Sequence, residues 1–291
     1  MLKNLFPAKV LLLGEYTILN GSRALALPYP ELSGKWSFLD DESKERKSSR
    51  KSLKGFLSFD SSSIIDKKQM EEDFEKGLWF DSTIPQGFGL GSSGALIAAI
   101  FEKYALKKTN DINSKADLAG LESYFHGSSS GIDPFVSLVQ NPLLIRSFEN
   151  IETLKNPLSL KGFYLLNTGK PRKTGPLVAI YQEKLKDPEF KKGCAEILAT
   201  DVNFAVDAVI SGNTLTLFHH MWHISKFQWE FFPEMIPTQM RGVWSRGIES
   251  GDYVLKLCGA GGGGYLLIYS EKLTFAQLQA TFSEFETREL R

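Results

Sequence analysis

Four consecutive glycines at 261–264, within the stretch KLCGAGGGGYLL at 256–267, constrain the fold of this chain more than any other feature. Glycine loses more backbone freedom on ordering than any other residue and gives a core no side chain to pack. Such a run makes sense where backbone must pass very close to a ligand or to another loop; a flexible hairpin turn is the plainer alternative. The flanking segments 253–257 and 265–269 are apolar, so strand, loop, strand is expected. A second glycine-rich stretch, PQGFGLGSSGA at 85–95, runs straight into the apolar segment 95–105. That pattern predicts a loop opening a helix, with a serine of the pair Ser92 and Ser93 as N-cap. Positive φ angles at glycine can aim successive N–H groups into one concavity, to which the helix adds its positive N-terminal end. The stretch is therefore a candidate cradle for a polyanion such as a triphosphate. Its serine hydroxyls could bond phosphate oxygens or ligate magnesium.

Three readings of 85–95 stand at this level. Gly89, Gly91 and Gly94 fit GxGxxG, and Asp111 lies downstream where a dinucleotide fold places its ribose-binding acid. However, Thr83, Ile84, Pro85 and Gln86 precede the glycines where such a fold has an apolar strand. A Walker A loop is excluded, because no lysine follows the last glycine. The third reading is an ordinary glycine turn capping a helix, with no ligand.

The remaining pattern is mixed. Strands are expected at 9–13, 24–27 and 162–167, and strand-like alternation at 55–65. Helices are expected at 67–77, 113–126, 176–186, 190–211, 213–230 and 274–287, the second opening on a possible Ser114/Asp117 capping box. The charged stretch DDESKERKSSRKSLK at 40–54 has no apolar face and reads as an exposed loop or hairpin tip. The pattern resets near 155, which divides the 291 residues into domains at 1–155 and 156–291. Lys and Arg number 34, as do Asp and Glu, so a broad basic field for nucleic acid or an anionic membrane is missing. Two cysteines, Cys194 and Cys258, without metal-ligand spacing point to a reducing compartment, and no apolar run approaches the ~20 residues of a membrane span. A cytoplasmic protein is the expectation. His219, His220 and His223 stand among aromatic residues and read as packing or pocket lining.

Taken together, PAKVLLLGEYTILNG at 7–21, PQGFGLGSSGA at 85–95 and KLCGAGGGGYLL at 256–267 resemble, in order and spacing, the three motifs of the GHMP kinases. ESYFHGSSSGID at 122–133 resembles the HGxxSGxD stretch of the mevalonate kinase branch, and NTGKPRKT at 167–174 resembles its substrate-side loop. The resemblance implies an α+β, two-domain GHMP kinase fold: a ribosomal-protein-S5-domain-2-like N-terminal domain and a ferredoxin-like C-terminal domain. It implies ATP and Mg2+ as cofactors, a small-molecule acceptor, and transfer of the γ-phosphoryl group to a hydroxyl, first of all mevalonate to 5-phosphomevalonate in isoprenoid biosynthesis. Phosphomevalonate or a sugar is the alternative acceptor, and a catalytically silent binding protein of the same fold the third possibility. A homodimer is left open.

Residue by residue, the resemblance gives Asp133 and Lys9 catalytic places. It assigns the phosphates to Gly87, Gly89, Leu90, Gly91, Ser92, Ser93 and Gly94, and Mg2+ to Ser93 and Glu122. It puts Glu15, Tyr16, Arg172, Thr174, Gly261 and Gly262 on the substrate side. Three positions depart from the pattern: Tyr16 replaces a histidine, Gly94 an alanine and Pro134 an asparagine.

Overall fold

The structure, a computed structural model, describes residues 3–38, 43–109 and 112–291; Asp111 and the first residues of the 40–54 stretch lie outside it. The chain forms two compact units. The first comprises Met1–Val10, Leu27–Pro85 and Leu90–Pro142, and the second Leu11–Ala26, Gln86–Gly89 and Leu143–Arg291. In chain order the main switch comes at 142/143 rather than near 155, because β4 pairs with the early residues 24–26.

In the first unit, strand β1 (Phe6–Leu13) and the long strand β2 (Ala24–Ser37) continue from one unit into the other. They are followed by α1 (Lys44–Leu57), α2 (Lys67–Glu75), β3 (Trp79–Ser82), α3 (Ser92–Tyr104), α4 (Lys115–His126) and α5 (Ile132–Val139). β3 pairs antiparallel with β2, from Gly34 opposite Ser82 to Ser37 opposite Trp79. The central element is α3. Its residues 94–102 are all buried, and a helix apolar on every side belongs inside a core. It packs on α4 and α5. Each buried Leu, Ile or Phe of this helix contributes about 1.5–3 kcal/mol of transfer free energy.

Four expectations fail in this unit. The stretch 44–57 is a helix, not a loop: Ser43 caps it by accepting the Arg46 N–H, and Leu53 and Phe56 are buried, Phe56 edge-on to Tyr124. The charged residues come first and the apolar anchors last, so no amphipathic period is visible within 40–54. Segment 55–65 is correspondingly not a strand. It finishes α1 and then turns, with one bridge between Ile65 and Ala105. The expected serine cap of α3 is replaced by Gly91 at φ 70°, and Ser114 makes no capping bond to α4. Helix α5, which carries Asp133, was not anticipated: eight residues ending in a left-handed Gln140 are too few for a readable period.

The second unit adds strands β4 (Leu143–Ile145), β5 (Ile151–Thr153) and β6 (Phe163–Asn167). Helices α6 (Thr174–Lys184) and α7 (Pro188–Lys192) lead through a π-helical turn, Gly193–Leu198, into α8 (Ala199–Ser211). Then come α9 (Thr214–Phe231), α10 (Arg241–Ser250), β7 (Val254–Leu257), β8 (Tyr265–Tyr269), α11 (Phe275–Thr281) and β9 (Glu286–Glu289). Its antiparallel sheet runs β7-β8-β6-β9, a βαββαβ arrangement of the ferredoxin-like kind. The expected last helix stops at Thr281, and residues 286–289 pair with β6 instead. Helix and sheet thus mix as an α+β chain. Among the described residues no helix is long and apolar enough to cross a membrane.

Candidate active site

The first unit gathers Lys9, Leu90, Gly91, Ser92, Ser93, Gly94, Glu122 and Asp133. Lys9 sits on β1 with its side chain nearly buried, and its Nζ lies 2.8 Å from Asp133 Oδ1. The Lys9 backbone N–H donates to the carbonyl of Leu90 at 2.9 Å, which fastens the glycine loop to β1. Gly91 follows, and a Cβ there would stand 3.3 Å from Asp133 Oδ2 and 3.5 Å from Lys9 Cβ. Ser92 and Ser93 open α3, so the N–H groups of Ser92, Ser93 and Gly94 have no carbonyl partner within the helix. Gly94 is required by packing: a Cβ would meet Asp133 Cβ and the Pro134 nitrogen at 2.8 Å. Gly94 therefore lets α3 approach the start of α5, at the backbone of Asp133 and Pro134.

Ser93 Oγ lies 3.3 Å from Glu122 Oε1 and 3.0 Å from His126 Nε2. Glu122 also accepts the hydroxyl of Ser129, whose oxygen in turn accepts the Gly131 N–H at 2.9 Å. Burial, and next the negative charge of Asp133, push the Glu122 carboxyl up to about 7, against the Ser129 hydroxyl, Lys9 and Ser93, which favour its charged form. A hydroxyl beside a buried carboxylate is a hard-oxygen pair suited to Mg2+, which takes one or two carboxylates and completes its shell with water and phosphate oxygens. Among the described residues no group of three or more His, Cys, Asp or Glu forms an all-protein metal cage. His126 and Ser129 belong to this cluster but went unassigned from sequence; the HGSSSG spelling marks the segment without saying which side chain turns inward.

The second unit gathers Glu15, Tyr16, Gly87, Gly89, Arg172, Gly261 and Gly262, and they are engaged with one another. Glu15 Oε2 pairs with Lys256 Nζ at 2.5 Å, with side chains 3% and 1% exposed, and Glu15 Oε1 accepts the Gly259 N–H at 3.4 Å. Lys256 had no signal in the sequence, since it stands among strand residues. The Tyr16 hydroxyl donates to the Ala260 carbonyl at 2.7 Å, its ring lies against Tyr181 and Phe232, and burial pushes its phenol upward. Arg172 Nη1 donates to the carbonyls of Cys258 at 2.9 Å and Gly261 at 3.4 Å, and the Arg172 N–H donates to the Gly87 carbonyl at 2.8 Å. Gly89 and Gly259 both border its guanidinium. Gly262 donates to the Met235 carbonyl at 2.6 Å. The glycine run threads between two loops: a Cβ on Gly264, at φ 68°, would meet the Phe88 carbonyl at 2.4 Å, and one on Gly263 the Lys170 carbonyl at 2.7 Å. Thr174, at the start of α6, is exposed and stands apart from these bonds.

Comparison with known proteins bears on the fold. The family profile described as "GHMP kinases N terminal domain" matches residues 63–141. A mevalonate kinase of Pyrococcus abyssi is 33% identical over 138 residues, which span 45% of this chain and 39% of that enzyme's length. Among solved structures, L. major mevalonate kinase in complex with R-mevalonate superposes with a TM-score of 0.64 at 18% identity, covering 97% of this chain and 90% of that one. Lactococcus lactis galactokinase complexed with galactose superposes with a TM-score of 0.66 at 14% identity, covering 98% and 92%. The fold is that of the GHMP kinases, and the resemblance read from the motifs is borne out.

Proposed function

We propose that the chain is an ATP-dependent kinase that phosphorylates a small-molecule hydroxyl, with mevalonate as its acceptor. The observation that carries this reading is the Lys9–Asp133 ion pair, 2.8 Å long and set beside Gly91 at the mouth of α3. The N–H groups at the start of α3, with Gly87, Gly89, Leu90 and Gly91 before them, would take phosphate oxygens. Ser93 and Glu122 would hold Mg2+, which when bound offsets the charge of the nucleotide phosphates.

Phosphoryl transfer needs alignment and charge neutralisation more than covalent help from the protein. Asp133 would accept the proton of the attacking hydroxyl or turn that hydroxyl toward the phosphorus. Lys9 would hold Asp133 in place through Oδ1 and bring positive charge to the transferring group. Glu15, Tyr16, Arg172 and Thr174, with the loop holding Gly261 and Gly262, would shape the acceptor side. The Glu15, Tyr16 and Arg172 bonds described above point to support of that loop as the way they act.

The test is ATP turnover against mevalonate, phosphomevalonate, homoserine and a panel of sugars. Turnover with mevalonate at the highest kcat/KM is expected; none with mevalonate overturns the assignment. One observation favours a second reading. Tyr16 stands where mevalonate kinases have histidine, and its hydroxyl is committed to Ala260, so a phosphomevalonate or sugar acceptor leading the panel would identify that branch instead.

A further inference from the structure

Resting on the reading of Ser93 and Glu122 as cation ligands, we propose that His126 and Ser129 are the positioning residues of that site, Ser129 as donor to Glu122 and His126 as acceptor from Ser93. The Ser129 contact begins at the start of α5, and His126 ends α4. The Gly131 N–H donates to Ser129 Oγ at 2.9 Å, and Ser129 donates to Glu122 Oε2. A serine hydroxyl has a single proton, so Ser129, having given it to Glu122, can only accept from Gly131. Its direction is therefore set, and Glu122 Oε2 is held as an acceptor while Oε1 is left toward Ser93 Oγ, 3.3 Å away. Gly131 immediately precedes α5, and α5 carries Asp133 in its first turn. Ser129 thus links the carboxylate to the segment that places Asp133.

At the other end, Ser93 Oγ also has one proton and two neighbours able to take it: Glu122 Oε1 at 3.3 Å and His126 Nε2 at 3.0 Å. A hydroxyl that lends a lone pair to a cation must point its proton away from that cation. With Glu122 as the companion ligand, Oε1 would be taken up in holding the cation, and His126 Nε2 would be the acceptor that remains. In this role Nε2 is the accepting nitrogen of His126. Partners of metal ligands commonly change metal affinity about 10–100-fold when they are removed. A purely structural role in ending α4 predicts no such change.

The experiment measures Mn2+ binding to the complex with a non-hydrolysable ATP analogue, by the loss of the free Mn2+ signal in electron paramagnetic resonance. It compares the parent chain with His126→Leu, His126→Gln, Ser129→Ala and Glu122→Gln. His126 is exposed, so its variants should fold as the parent does. Expected are an about 10-fold weaker Mn2+ affinity in His126→Leu and Ser129→Ala and recovery in His126→Gln, whose amide oxygen can accept the Ser93 proton. Analogue binding in EDTA should be unchanged throughout. Mn2+ affinity within two-fold of the parent in both His126→Leu and Ser129→Ala, with Glu122→Gln clearly weakened, overturns the inference alone. Unchanged affinity in Glu122→Gln overturns the cation-ligand reading beneath it.

Discussion

The polar residues of the first unit and those of the second are built on opposite principles. In the first, Asp133 keeps a third of its side chain exposed, and its partner Lys9 reaches it from a nearly buried position. Ser93 Oγ stands between Glu122 Oε1 and His126 Nε2, and the first N–H groups of α3 have no partner inside the helix. That arrangement leaves hydrogen-bonding capacity for something that arrives. In the second, Glu15 and Lys256 are sealed together, Tyr16 is bonded to Ala260, and Arg172 is bonded to Cys258 and Gly261. That arrangement holds a glycine-rich loop in one shape. Both regions are rich in glycine, yet Gly91 and Gly94 make room for Asp133, whereas Gly263 and Gly264 make room for the backbones of Lys170 and Phe88. Glycine content alone does not separate a ligand cradle from a loop that other loops must pass.

The sharpest way to break this contrast is to remove one group from each side. Asp133→Ala should lower kcat by about 10²–10⁴-fold while nucleotide binding survives, since proton acceptance and orientation at the reacting hydroxyl are lost. Steady-state kinetics beside equilibrium nucleotide titration decide it, and undiminished kcat removes Asp133 from the chemistry. Lys256→Met acts on the other side. It leaves the Glu15 charge buried without its cation, and stability should fall by about 3–5 kcal/mol in chemical denaturation. The double variant Glu15→Gln with Lys256→Met should recover most of that loss; a Lys256→Met protein as stable as the parent would refute the structural role.

Gly264→Ala should follow in size, at about 2–4 kcal/mol, because it combines a left-handed backbone with a Cβ driven into the Phe88 carbonyl. A thermal midpoint unchanged by that substitution would mean the loop can move aside. The smallest effect concerns pH. The Glu122 carboxyl is raised from 4.5 to about 7 in the folded chain, so the folded state holds its proton more firmly than the unfolded one. Without nucleotide or metal, stability is therefore highest below the unfolded value and falls as pH rises from 4.5 to about 7, by about 1–3 kcal/mol. Urea denaturation at pH 5 and pH 8 reads this difference, and Glu122→Gln should flatten it. A slope that persists in the variant belongs to another group.

Much of the fold is legible in the amino-acid sequence. The strands flanking the glycine run and the buried helix after Gly91 follow from apolar runs bounded by glycine, where local pattern and burial agree. The elements missed are those whose signal is short or out of phase. α1 hides its anchors Leu53 and Phe56 behind nine charged or polar residues, and α5 spans barely two turns. β9 reads as the continuation of a helix until β6 offers it a partner.

By itself, then, the amino-acid sequence marked the residues proposed to carry the chemistry: a lysine after Pro-Ala, two serines heading a helix, a glutamate and an aspartate around HGSSSG, each conspicuous for its type and its neighbours. Tertiary structure alone decided which of them meet. Lys9 and Asp133 lie 124 positions apart and touch because β1 and α5 both border the head of α3. The same long-range packing gave Glu15 a buried lysine 241 positions away and bound Ser129 to Glu122. Local preference acts over a few residues, whereas a hydrogen bond or ion pair forms wherever the folded backbone brings donor and acceptor within about 3 Å.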